Sequence, residues 1–145
     1  MSIFNRVFFS LQDYENHIQG VRQKISTCLN EDLQIFDVAI SEAIINGINY
    51  SQDGSLRVHG VYLKIRCLKR KMIVRVKTPG EEGFNGNDRI KAFKEKKEQM
   101  INQTLLDESG RGILIMVEAS DYLIYNKLGD EVLLMKRKKN INTNV

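Results

Sequence analysis

The stretch FDVAISEAIINGINY, residues 36–50, limits the possible folds more than any other part of the chain. Its spacing predicts a helix on which Phe36, Ile40, Ala43, Ile44, Gly47 and Ile48 share one broad face. Val38 and Ile45 cover the far side, so the helix is apolar nearly all round and is expected to be buried. Burying it requires a second layer of structure against it, and 145 residues can supply that layer within one domain. One narrow polar stripe interrupts the pattern: Glu42, Asn46 and Asn49, spaced i, i+4, i+7.

A carboxylate and a carboxamide one turn apart in apolar surroundings are costly unless something binds them. The residues leave two readings open. In one, the pair is satisfied by a loop or a neighbouring strand. In the other it is a metal and proton-transfer site. Asn46 then offers a neutral oxygen to Mg²⁺, a hard cation that keeps several waters and takes phosphate oxygens. Glu42 then orients or deprotonates a nucleophile.

The segments around this helix order themselves by period. Residues 3–9, IFNRVFF, suit a short first strand. Ser10 caps a first helix, with Asp13 three residues on as an approximate capping box. Leu11, Tyr14, Ile18, Val21, Ile25, Cys28 and Leu29 carry its helical period. Asn30 is the expected N-cap of the second helix, which runs to about Tyr50. Residues 55–68 and 71–77 read as a hairpin turned at Lys69-Arg70. Its inner face is expected to hold Val61, Leu63 and Ile65, then Ile73 and Val76 or their neighbours. A polar segment, 85–109, contains helix formers over 88–106 with a thin stripe of Ile90, Phe93, Lys97 and Ile101. The apolar helix of GRGILIMVEAS follows, and DYLIYNKLGDEVLLMKR closes as a hairpin turned at Gly129-Asp130.

The order is β-α-α-β-β-(loop/helix)-α-β-β. Hairpin-joined strands and grouped helices predict an α+β two-layer sandwich, a mixed and mainly antiparallel sheet with helices on one face. Regular strand–helix alternation, which a doubly wound dinucleotide fold needs, is absent.

Charge and cysteine content narrow the function. The net charge of +4 is carried largely by two local runs, Arg89 to Lys97 and Lys136 to Lys139, whose simplest reading is solvated surface. Direct nucleic-acid binding is not expected from so weak a bias. Cys28 and Cys67 have no second cysteine or histidine at metal-ligand spacing, and both are expected to be buried free thiols. The start, MSIFNRVFFS, does not read as a signal peptide, and no segment has the apolar length of a membrane span. A cytoplasmic protein is the expectation.

Two glycine segments complete the chemistry. In Ser109-Gly110-Arg111-Gly112, glycines at a helix start let backbone N–H groups approach a phosphate, and Arg111 adds a planar cation. The plain alternative is a tight turn into a core helix. The loop VRVKTPGEEGF, residues 74–84, places Gly80 and Gly83 around two carboxylates, Glu81 and Glu82, after the chain's one proline.

In their order, SEAIIN, TPGEEGF and GRGILI resemble the asparagine box and the two glycine boxes of the GHKL (Bergerat-fold) ATP-binding superfamily. The chain is most similar to the anti-sigma-factor serine kinases of bacterial partner-switching systems, over about Asp13 to Arg137. The resemblance implies a Bergerat fold over 1–137, with a lid at about 85–109 and a basic polar tail at 138–145. It implies that Asn46 coordinates Mg²⁺ and the ATP phosphates, and that Glu42 is the general base or orients the phosphoryl acceptor. Asn49 and Tyr50 would line the same helix end. Gly80 and Gly83 would flex around the adenine and the lid hinge, and Gly110, Arg111 and Gly112 would bind the terminal phosphates. The implied partners are a sigma factor and an anti-anti-sigma phospho-acceptor protein, with a homodimer possible in principle. One position departs from the pattern. Thr78 stands where the family has an aspartate that reads the adenine amino group, and a hydroxyl is a weaker acceptor than a carboxylate. That departure opens a second implied function: a regulatory binding module that keeps the fold and acts by protein contact.

Overall fold

The computed structural model describes residues 2–29, 34–52, 60–78, 86–95 and 108–138, with the backbone alone at 2, 34, 49–52 and 108–111. The elements run β1 (Ser2–Phe8), α1 (Leu11–Leu29), α2 (Gln34–Gln52), β2 (Val61–Cys67), β3 (Lys71–Lys77), α3 (Gly86–Glu95), α4 (Glu108–Ala119), β4 (Tyr122–Tyr125) and β5 (Glu131–Arg137). This is the α+β order expected from the sequence. Asn30, Gly80, Gly83, Lys97, Ile101 and the tail beyond Lys138 lie outside the described residues. So does much of segment 85–109, of which 86–95 form α3.

The strands make one five-stranded sheet in the order β1-β2-β3-β5-β4. All four described pairings are antiparallel, so within the described residues the sheet is not mixed as expected. Each neighbour in the sheet is joined either by a hairpin or by a connection that brings the chain back antiparallel. Only β1–β2 and β3–β5 need connections through helices.

Register decides which side chains enter the core. Leu63 pairs with Val76 and Ile65 with Val74, which turns Met72, Val74 and Val76 inward. Ile73 therefore faces outward, half-buried, and of the expected pair or their neighbours it is Val76 with Met72 and Val74, the neighbours of Ile73, that lie inside. Ile73 and Val76 have opposite parity on a strand, and a period of two allows only one of them inside.

The helices cover one face of this sheet. Phe36, Ile40, Ile44 and Ile48 of α2 are at most 1% exposed and meet Val21, Ile25 and Leu29 of α1 and Met116 of α4 in the core. Burial of α2 is less complete than its composition predicts. Ile35 and Val38 are exposed, and with Leu114 and Ile115 of α4 they flank a shallow apolar hollow. One side of a helix packed on a sheet faces outward whatever its residues are.

Local signals place the ends. The Ser10 hydroxyl accepts the Asp13 N–H at 3.1 Å, and the Asp13 carboxylate accepts the Phe9 N–H at 3.1 Å. This is the expected cap, with the reciprocal bond taken one residue earlier. At the last hairpin Gly129 adopts a φ of 80°, the left-handed conformation that favours glycine.

The two cysteines are not free thiols. Cys28, at the end of α1, and Cys67, at the end of β2, form a disulfide with Cα atoms 5.6 Å apart. Sequence spacing cannot show this pair, because the contact arises only when α1 packs back against the sheet.

Candidate functional site

The polar stripe of α2 meets α4. Glu42 and Asn46 are each half-buried, one turn apart on α2. Gly112 of α4 comes so near that a Cβ there would lie 2.9 Å from Asn46 Nδ2 and 3.2 Å from Glu42 Oε2. A side chain at this point would push the Asn46 and Glu42 side-chain ends aside. The stripe and the glycine segment, 66 residues apart by number (112 − 46), thus form one site.

A second close approach adds the β3 end. Thr78, 2% exposed, directly follows β3, and its backbone N–H donates to the Asp130 carbonyl at 2.7 Å. Its hydroxyl lies against Gly47 of α2, where a Cβ would collide with Thr78 Oγ1 and lie 3.0 Å from Val61 Cγ2. Gly47 adjoins Asn46, so Thr78 reaches the same end of α2. The sequence reading missed Gly47 as a site residue and placed it only on the apolar face. A lone glycine inside a helix is a weak signal for such a contact, since Gly20 of α1 has nothing within 4 Å of its Cβ position.

Gly110 and Arg111 lie in the opening turns of α4. The helix begins at Glu108, so both glycines fall within its opening turns, at a helix start as expected. The first N–H groups of any helix lack intrahelical acceptors, and Gly110 falls in that turn. Asn49 sits on α2 beyond Asn46, with its side chain outside the described set, as is that of Arg111. The structure therefore brings Glu42, Asn46 and Gly112 together, sets Thr78 against the neighbouring Gly47, and places Gly110 and Arg111 by position in the helix.

Further residues hold the surroundings in place. The Asn87 amide, in the first turn of α3, donates to the Tyr125 carbonyl at 2.9 Å and accepts the Tyr125 N–H at 2.8 Å. This pairs the outer edge of β4 as another strand would. Gly86 packs on the Tyr125 ring, so the start of α3 is fastened to the sheet. Behind Glu42, buried Tyr14 of α1 bonds Ser41 at 2.5 Å. Burial pushes the Tyr14 phenol above its ordinary pKa, partly offset by the Ser41 bond.

The site suits some ligands and not others. Among the described residues no group of three or more His, Cys, Asp or Glu could hold a metal by itself. One carboxylate and one carboxamide fit a cation that takes most of its oxygens from water and phosphate, as Mg²⁺ does. The side-chain-free gap at Gly112 and a helix start beside it fit an anion. No described helix is long and apolar enough to cross a membrane.

A family model described as the histidine kinase-like ATPase domain matches residues 13–136. No curated protein matches the chain.

Proposed function

Because the chain belongs to the histidine kinase-like ATPase domain family, we propose that it binds Mg-ATP between α2 and α4 and acts as a regulatory serine-protein kinase of the anti-sigma type. The observation that carries the reading is the meeting of Glu42 and Asn46 with Gly112, where no Cβ fills the gap. The partner-switching role is supported by the ordered likeness of SEAIIN, TPGEEGF and GRGILI to those kinases. The partners would be a sigma factor and an anti-anti-sigma protein that offers the serine.

Each residue then has a role that its position permits. Asn46 would hold Mg²⁺ through its side-chain oxygen, beside phosphate oxygens. The bound ion supplies charge neutralisation, which phosphoryl transfer needs more than covalent help. Glu42 would accept the proton of the partner's serine hydroxyl at a carboxylate oxygen. The opening turn of α4, with Gly110, Gly112 and the Arg111 cation, would orient the terminal phosphates. Thr78 would accept a hydrogen bond from the base, with Gly80 and Gly83 around it. Residues 85–109 would close over the phosphates, and the Asn87 clasp on Tyr125 would anchor that lid at its first helix.

Calorimetric titration of ATP, ADP and GTP, with and without Mg²⁺, tests the reading. Mg-ATP binding that falls by at least about ten-fold in Asn46→Ala is expected, since one lost charge-assisted contact is worth about 1.5–3 kcal/mol. A second reading rests on Thr78. The buried residue beside Gly47 is a hydroxyl and not a carboxylate, which weakens the reading of an adenine. On that reading the domain regulates by protein contact alone. Absence of binding at millimolar ATP would favour it and end the kinase proposal.

A further inference from the structure

The face of the sheet turned away from the helices carries a charge pattern that the nucleotide site does not use. Tyr62 and Lys64 of β2 stand in register opposite Lys77 and Arg75 of β3. Lys64 faces Arg75 directly, and like charges set opposite one another weaken a sheet. With Asn5 and Val7 of the edge strand β1, opposite Lys64 and Tyr62, they line an open groove of about 550 Å³, in which Glu131 is the single carboxylate. Tyr62 is 50% exposed, and Lys64 and Lys77 are exposed as well. Among the described residues, none of Lys64, Arg75 and Lys77 is ion-paired.

We propose that this groove docks an extended acidic segment of a partner protein, with carboxylates at alternate positions. Side chains on one face of an extended chain recur about every 7 Å. Arg75 and Lys77, two residues apart on β3, present their charges at that same repeat. Bound carboxylates would relieve the Lys64–Arg75 repulsion, and the Tyr62 ring would pack between them.

Charge selects this occupant over others. A two-fold contact with a second copy would set these cations against their own copies. A nucleic acid would need a cationic stripe unbroken by apolar residues, and on this face the row Ile73, Met135 and Tyr122 separates Arg75 from Lys71 and Arg137. The Lys64–Arg75 row runs on into Leu133 and Ile124, and the Lys77 row ends at Glu131. Cations followed by apolar residues match a segment that is acidic and partly apolar. The proposal does not depend on nucleotide binding, so the two can fail separately.

The test uses the full chain and a fluorescein-labelled peptide of alternating glutamate and leucine, titrated by fluorescence anisotropy at low and high salt. A single-stranded oligothymidylate of equal length is the second probe. The peptide is expected to bind, to weaken with salt, and to lose at least about ten-fold in affinity in Lys64→Glu/Arg75→Glu. Lys64→Gln/Arg75→Gln should lose less and, being milder, carries the test if the reversed pair unfolds early. The proposal is overturned if the folded variants bind the peptide as the natural chain does, or if the peptide does not bind. It is equally overturned if the oligonucleotide binds more tightly than the peptide, or if sedimentation shows that the substitutions break a dimer.

Discussion

A methyl group at position 112 would sit 2.9 Å from Asn46 Nδ2 and 3.2 Å from Glu42 Oε2. Both atoms are at the ends of side chains that can move aside, and alanine is the better helix former by about 0.5–1 kcal/mol. Gly112→Ala is therefore expected to leave the unfolding free energy within about 1 kcal/mol of the natural chain. The displaced Asn46 and Glu42 should still lower Mg-ATP affinity by at least about ten-fold, read by calorimetry. Loss of stability together with unchanged affinity would mean that the gap is structural. Tyr14 makes a different residue-scale prediction. Its phenol is held above its ordinary pKa by burial, so the unfolded chain releases this proton first as pH rises. The stabilising contribution is complete below pH 10 and is lost as pH climbs from there through the folded value. Tyr14→Phe should flatten the alkaline fall in denaturant midpoint, while costing about 1 kcal/mol at neutral pH through the lost Ser41 bond.

At the scale of elements, the disulfide ties the end of α1 to the end of β2 across a separation of 39 residues. Constraining the unfolded chain by a loop of that length is worth about 4 kcal/mol in the chain-entropy account, with measured values commonly 2–4. Cys28→Ser should lower the unfolding free energy by that order under non-reducing conditions. With dithiothreitol present, the natural chain should fall to the level of the variant, as urea denaturation would show. The elements themselves were largely readable. The Ser10–Asp13 cap, the Gly129-Asp130 turn and the apolar period of α2 depend on neighbours within a few residues, so they survive in the sequence as pattern. The inward face of β3 was not readable, because Ile73 and Val76 are equally apolar. Pairing with β2 chose Val74 and Val76.

For the whole molecule, binding and folding are linked. If Mg-ATP engages the native state alone, ligand at one hundred times its dissociation constant stabilises by about 2.7 kcal/mol. That corresponds to an upward shift in unfolding temperature of about 5–10 °C for a chain of this size. A thermal scan with Mg-ATP and with Mg²⁺ alone reads it, and equal curves would count against a nucleotide site. The same scan distinguishes the two faces of the sheet, since charge changes in the outer groove should leave the Mg-ATP shift intact.

The amino-acid sequence by itself determined the order of helices and strands, the polar stripe of Glu42 and Asn46, and the candidate role of Gly110, Arg111 and Gly112. Each is a local matter of period, turn chemistry or a short motif. The tertiary structure decided what is non-local: the strand order β1-β2-β3-β5-β4, the Cys28–Cys67 bond, the seating of Thr78 on Gly47, and the contact of Gly112 with both stripe residues. These depend on which surfaces pack when the whole apolar core closes. Residues far apart in the chain carry no periodic record of that choice.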